Sequence, residues 1–440
     1  MTTINSFESL GLVPPLLAAV QALGYTAPTP VQAQAVPSAL AGGDWMVSAH
    51  TGSGKTAAFL LPILQRLLDG KQVAPQRATQ PRALVLCPTR ELAQQVADDA
   101  IGLVRGLQAH AKGVRIGTIV GGVPFGKQLF DLRNATLVVA TPGRLLDLEN
   151  RGQIRLDKVE ILVLDEADRM LDLGFSEDVE AIHSRCAKRD QTMMFSATFA
   201  PRIMRLAENV MREPGRLELN TAQDVHSDIA QTLHWADNFT HKKALLDHWL
   251  RDAGLDQALV FASTQADTEM LAEELMQAGH SAVALHGAMP QSVRNRRLQN
   301  LRDGRIRILV ATDVAARGLD VPSISHVFNF GLPMKAEDYV HRIGRTGRAG
   351  RSGTAVTIAE YRERAKIRAI EQYTRQPMSA TVIPGLEPSP PKPSSKPAGR
   401  KPGRAGGGGW GRKEGGRGPG ASAGPGRRPA PAGGPRPFDR

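Results

Sequence analysis

The stretch Ala49-His50-Thr51-Gly52-Ser53-Gly54-Lys55-Thr56 narrows the folds open to this chain more than any other. It follows a short apolar run, Trp45-Met46-Val47, and opens a helix-patterned segment from Ala57 to Leu68. A strand, a loop of small residues and a helix start, in that order, make a cradle for polyphosphate. Glycines let backbone N–H groups turn inward, and the helix N-terminus favours negative charge. Lys55 is expected to reach β/γ-phosphates, and the Thr56 hydroxyl to take a Mg²⁺ site. The usual pattern opens with Gly where this chain has Ala49, so the loop draws its meaning from its context.

That context is a regular alternation. Between Trp45 and about Leu219, short β-type runs at Ala83–Cys87, Ile116–Val120, Leu137–Ala140, Ile161–Leu164 and Thr192–Phe195 separate helix-patterned segments. Such alternation predicts βαβ units, a parallel sheet and helices on both faces. The pattern turns polar and aperiodic from about Arg212 to Asp228, then resumes at Leu259–Phe261, Ala282–Leu285, Ile306–Ala311, Val327–Phe330 and Ala355–Ile358. The reading is α/β, with two tandem parallel-sheet domains. Residues 45–211 form the first, 212–228 a flexible linker and 229–375 the second. Residues 1–44 read as helices and turns, with Phe7, Leu10, Leu12, Leu16, Leu17, Val20 and Leu23 at roughly helical spacing. Two such domains facing each other create a cleft, the usual place for a ligand.

The remainder, 376–440, is rich in Pro, Gly, Ala and basic residues and is expected to be disordered, because it cannot bury enough apolar surface to offset ordering entropy. From Pro384 onward it holds twelve Lys and Arg against three acids, which is nine of the chain's +12 net charge. A nearly neutral body with a strongly basic tail points to a polyanionic partner. The two cysteines, Cys87 and Cys186, lie in apolar surroundings and argue against a disulfide scaffold. No membrane partner is expected, since no apolar run is long enough to span a bilayer and no leader pattern opens the chain; the expectation is a cytoplasmic protein.

Asp165-Glu166-Ala167-Asp168 leaves the carboxyl end of the apolar run Ile161–Leu164. There Asp165 can hold Mg²⁺ through water, and Glu166 can orient and deprotonate an attacking water. With Ser196-Ala197-Thr198, these residues resemble the DEAD-box family of ATP-dependent RNA helicases, two RecA-like domains joined by a flexible linker. The likeness continues in order through Pro88-Thr89-Arg90-Glu91-Leu92, Gly121-Gly122, Thr141-Pro142-Gly143-Arg144, Val260-Phe261, Gln291 with Arg294, Ala311-Thr312-Asp313, Arg317-Gly318-Leu319-Asp320 and His341 to Arg348. It spans about residues 7 to 375. The span Asp168–Phe175 and the basic tail look most like bacterial RhlE-type members. Two departures are His50, where the family often has Gln, and Leu301, at a commonly aromatic position where a packing change is expected.

The resemblance implies roles. Phe7, Tyr25 and Gln32 would bind adenine, Gln32 by its amide and Tyr25 by stacking. Residues 1–44 would therefore be an adenine-recognition segment packed on the first domain. Ala49, His50, Thr51, Gly52, Ser53, Gly54, Lys55 and Thr56 would hold the phosphates, and Asp320 the ribose. Lys55, Asp165, Glu166, Arg345 and Arg348 would be catalytic, the two arginines stabilising charge on the γ-phosphate. Ser196, Ala197, Thr198, Asp168 and His341 would couple the domains. Pro88, Thr89, Arg90, Gly122, Thr141 and Arg144 would line an RNA path on the first domain, and Gly287, Arg294 and Thr312 on the second, by backbone contacts that read shape. The expected activity is RNA-stimulated ATP hydrolysis coupled to local, non-processive duplex unwinding and remodelling. Ribosomal or RNA-decay complexes would be its setting. An ATP-gated RNA clamp and a DNA-directed translocase are the alternatives.

Overall fold

The computed structural model describes residues 6–49, 52–68, 79–219, 229–316, 321, 323–347 and 351–389. His50, Thr51, Asp320, Arg348, most of the expected linker and the tail from residue 390 lie outside the described residues.

Among those residues the chain builds two all-parallel sheets. The first takes β1 (Trp45–Ser48), β2 (Ala83–Leu86), β3 (Ile116–Ile119), β4 (Leu137–Ala140), β5 (Ile161–Leu164), β6 (Gln191–Ser196) and β7 (Gly215–Glu218), in the order β3-β4-β2-β5-β6-β1-β7. The second takes β8 (Ile229–Ala236), β9 (Gln257–Phe261), β10 (Ala282–Leu285), β11 (Ile308–Ala311), β12 (Ile324–Asn329) and β13 (Gly353–Glu360), in the order β10-β11-β9-β12-β13-β8.

The alternation of side chains along each strand explains the layers. In β2, Ala83 and Val85 join the core on one face while Leu84 and Leu86 join the core on the other. In β9, Ala258 and Val260 face one core, Leu259 and Phe261 the opposite one. Strands buried on both faces read as continuous apolar runs, which is why these were legible. Leu301, at the position where an aromatic was expected, is fully buried beneath the second sheet.

The N-terminal segment packs on the first lobe. Phe7, Leu10, Leu16, Val20, Val31 and Val36 share a core with Leu60, Leu61 and Ile63 of the helix Lys55–Leu67. Thr29 caps the helix Pro30–Leu40 in a capping box whose other half is Gln32.

Two boundaries differ from the sequence reading. Gly215–Glu218, expected in the linker, is the edge strand β7, paired in parallel with β1. Residues 376–389, expected in the disordered tail, instead strap the second lobe along β8. Leu233 pairs with Ala380, Thr381 N donates to Leu233 O at 2.9 Å, Ile383 is buried in the core and the Ser389 hydroxyl donates to Asp237 at 2.8 Å. The reason is local: Ile383 and Leu386 are apolar anchors amid prolines, and the open edge of β8 offers unpaired backbone groups.

Candidate active site and RNA groove

In the first lobe the phosphate loop, the acidic pair and the RNA-candidate loops leave the carboxyl ends of strands, where open parallel sheets bind ligands. The strand order sorts them. The phosphate loop follows β1, Ser196-Ala197-Thr198 ends and follows β6, and Asp165-Glu166 follows β5, so three adjacent strands carry the nucleotide candidates. Pro88 and Thr89 follow β2, Gly121 and Gly122 follow β3, and Thr141 follows β4, so these three neighbouring strands carry the RNA candidates.

In the nucleotide half, Gly52 and Gly54 hold the loop at φ 85° and 87°, conformations that suit glycine. A Cβ on Gly54 would stand 2.5 Å from Nε2 of Gln32. That amide is buried and shared: Nε2 donates to Gly54 O at 3.1 Å, and Oε1 accepts from Thr29 N at 3.0 Å. One N–H and one lone pair of the Gln32 amide stay available for a ligand. Tyr25, partly exposed, stacks on Phe7 with ring centroids 6.2 Å apart.

Lys55 opens its helix with Nζ 3.9 Å from Oδ1 of Asp165, both side chains buried. Asp165 Oδ1 is buried and accepts no hydrogen bond. Burial, with Glu166 and Asp168 alongside, pushes the Asp165 carboxyl up to about 6 against the pull of Lys55. A desolvated carboxylate oxygen without a donor, beside the Thr56 hydroxyl's helix turn, fits a divalent cation that takes its other ligands from phosphate and water. Glu166 has a left-handed backbone (φ 52°, ψ 55°), the kind of strain that collects at functional sites. Burial would raise its carboxyl too, but Lys55, Arg345 and Arg169 together hold it below its ordinary range, ionised. Arg345 thus acts across the cleft, from the second lobe onto Glu166.

Of the coupling candidates, Ser196-Ala197-Thr198 packs within the first lobe and Asp168 reaches the second. Ala49 N donates to Ser196 O at 3.0 Å, and the Ser196 hydroxyl donates to Thr198 O at 2.9 Å. Asp168 Oδ2 lies 3.6 Å from His341 Nε2 of the second lobe. Burial works against the Asp168 carboxylate, yet His341, Lys55 and Arg169 hold its pKa far below the usual range. The helix Ala336–Ile343, which carries His341, is pinned by Arg342: this guanidinium donates to both oxygens of Asp313 at 2.6 and 2.7 Å and lies over the Phe261 ring.

The RNA candidates of both lobes line one cavity of about 300 Å³: Pro88, Thr89, Arg90, Thr141 and Arg144 from the first, Gly287 and Arg294 from the second. Thr312 and Gly122 stand outside that lining. A Cβ on Gly122, whose φ is 77°, would collide with the Arg90 guanidinium, so this glycine makes room for an arginine. Gln128 accepts from Arg144 Nε at 3.1 Å, and the Phe125 ring stacks under the same guanidinium at 4.0 Å.

Sequence reasoning missed the seam. Arg294 Nε donates to Glu91 of the first lobe at 3.0 Å, Gln291 Nε2 donates to the same oxygen at 3.2 Å, and Arg90 donates to Gln291 at 3.1 Å. On the other side, Arg169 pairs with Asp338 at 2.7 Å, Lys335 with Asp172 at 2.6 Å and Arg202 with Glu337 at 2.9 Å. Glu91 and Asp172 stood within motifs and Arg202 shortly after one, but nothing local named their partners.

Family models match two stretches: DEAD/DEAH box helicase over residues 29–206 and helicase conserved C-terminal domain over residues 241–350. The chain is 43% identical over 400 residues to the ATP-dependent RNA helicase SrmB of Escherichia coli, covering 90% of this chain and 88% of that protein. It belongs to the DEAD-box RNA helicases. It is also 41% identical to the ATP-dependent RNA helicase RhlB of Pseudomonas syringae, across 86% of this chain and 95% of that one. Among solved structures, S. cerevisiae Dbp5 bound to RNA and ADP BeF3 matches with a TM-score of 0.75 at 32% identity, over 86% of this chain and 95% of that chain. The helicase is accordingly an ATP-hydrolysing enzyme with two RecA-like lobes. Among its described residues, no helix is long and apolar enough to cross a membrane.

Proposed function

We propose that this helicase couples RNA-stimulated ATP hydrolysis to local, non-processive unwinding of short RNA duplexes. One observation carries the reading: the nucleotide cleft and the RNA groove each take residues from both lobes across a single seam. Closing the lobes therefore completes both sites together, and RNA and ATP each favour the state that the other needs.

ATP lies on the phosphate loop, with Gln32 and Tyr25 reading adenine. The free N–H and lone pair on Gln32 match the N7 acceptor and N6 donor of adenine, while the O6 of guanine would meet the amide oxygen. Glu166, ionised, orients the attacking water and takes its proton. Lys55, Arg345 and Arg348 offset the charge that grows as the γ-phosphoryl bond to ADP breaks. Asp165, through water, and the Thr56 hydroxyl would hold Mg²⁺, which would supply positive charge against the phosphates. Asp320 contacts the ribose. Asp168, His341 and Ser196-Ala197-Thr198 relay lobe closure to the cleft.

Groove residues hold RNA by its backbone and 2′-hydroxyls, so recognition is by shape. The basic tail adds affinity that fades with salt. The subgroup, RhlE-type, rests on Asp168–Phe175 and that tail. Steady-state ATPase of the full chain with no nucleic acid, with single-stranded RNA and with DNA of matching sequence tests the reading, with Glu166→Gln as the blank. Stimulation by RNA, lost in Glu166→Gln, is expected. Equal stimulation by DNA would favour a DNA-directed translocase, and none at all would leave an ATP-gated clamp.

A further inference from the structure

The helix Gln291–Arg302 carries more positive charge than the groove uses. From Gln291 to Arg307 the chain holds six arginines against one acid, Asp303, in a body that is nearly neutral overall. The start of this helix enters the groove, where Gln291 and Arg294 line the cavity. Arg297 is engaged within its own lobe, donating to Ala284 O at 2.6 Å. Arg305 pairs with Asp303 at 3.1 Å on the exposed surface, and Arg307 donates to the backbone of Asp256 while remaining exposed.

Arg296 and Arg302 are different. Both are exposed, and neither has a hydrogen bond or ion pair among the described residues. At 3.6 residues per turn, Ser292, Asn295 and Gln299 fall between them on the outward face, and all three are exposed. The face is thus a stripe of guanidiniums, amides and a hydroxyl, the donor set that contacts phosphate and sugar. It runs roughly 18 Å from the groove mouth, at the rise of an α-helix. Exposed arginines usually only keep a surface solvated. Here they share a helix whose first turn lines the groove, which gives the charge a direction.

We propose that the outward face of Gln291–Arg302, extended by Arg305 and Arg307, is a second RNA surface. A strand leaving the groove past Gln291 runs along it, its phosphates meeting Arg296 and Arg302. This rests on the reading of the groove as an RNA path.

The test compares the full chain with its Arg296→Gln/Arg302→Gln variant, with a non-hydrolysable ATP analogue present. One RNA is about five nucleotides long and confined to the groove, and one is about twenty and reaches beyond it. The basic tail is present in both proteins and cancels. The expected result is a loss of about tenfold in affinity for the longer RNA at low salt, with the salt slope lowered by about 0.7 per lost contact. Affinity for the short RNA is unchanged, and Arg296→Glu/Arg302→Glu deepens the loss. Equal affinity of wild type and both variants for the longer RNA overturns the second surface and leaves the groove intact. Failure of wild type to bind either RNA overturns the groove reading, and the second surface with it.

Discussion

Arg169 Nη1 in the first lobe lies 2.7 Å from Asp338 Oδ1 in the second, and both side chains are buried. Parting of the lobes would return both groups to water, so this pair bears on closure rather than on the folding of either lobe. Arg169→Ala strips Asp338 of that partner while it stays buried in the closed form, a change of about 3 kcal/mol against closure. The RNA concentration giving half-maximal ATPase should rise on the order of a hundredfold. The melting temperature of the free protein should barely move. A large drop in melting temperature with unchanged RNA dependence would refute this assignment.

Gly122→Ala makes a narrower prediction. The added methyl forces Arg90 out of its place and strains a backbone at φ 77°. RNA-stimulated turnover should need more RNA, roughly tenfold, for about 1–2 kcal/mol of lost contact. Binding of ADP in the absence of RNA should stay as it was, which nucleotide titration of the variant checks.

Acid should destabilise the first lobe through His183. Burial, then Arg189 and Arg212, pull its imidazole from 6.5 down to about 4. The unfolded chain takes up this proton near pH 6.5 and the folded chain only near pH 4. Its share of stability is therefore full above 6.5 and is lost as pH falls between the two values. His234 and His326, lowered first by burial, act in the same direction. Urea unfolding across this window should show the loss, and His183→Gln should flatten it. An unchanged slope in that variant would remove His183 as the cause.

The strap over β8 should behave as part of the second lobe. Ile383→Ala removes a buried side chain and should lower stability by about 2 kcal/mol. Ending the chain after Arg375 should do more, exposing His234 and the β8 edge, whereas ending it after Ser389 should leave the melting transition where it was. Thermal denaturation of the three chains decides.

The buried strands of both sheets were legible because parallel strands covered on two faces have no polar face to confuse the pattern. β7 and β8 were not, because each lies at a sheet edge: β7 alternates half-buried with exposed residues, and β8 mixes buried with exposed ones. The strap was hidden by composition: two apolar anchors amid prolines look like the start of a tail. At the site, loops that bend around phosphate need glycine and lysine at fixed spacing, so Gly52 to Thr56 stood out. Arg294 and Glu91 meet across 203 residues of chain, and no local rule pairs them.

The seam between the lobes is held by ions and amides: Arg169 with Asp338, Arg202 with Glu337, Lys335 with Asp172, and Arg294 and Gln291 with Glu91. Each of these groups is as content in water as against its partner. Parting these pairs bares charged and amide groups rather than apolar ones. A hinge fastened this way can shut and release through many turnovers without wearing the protein toward aggregation.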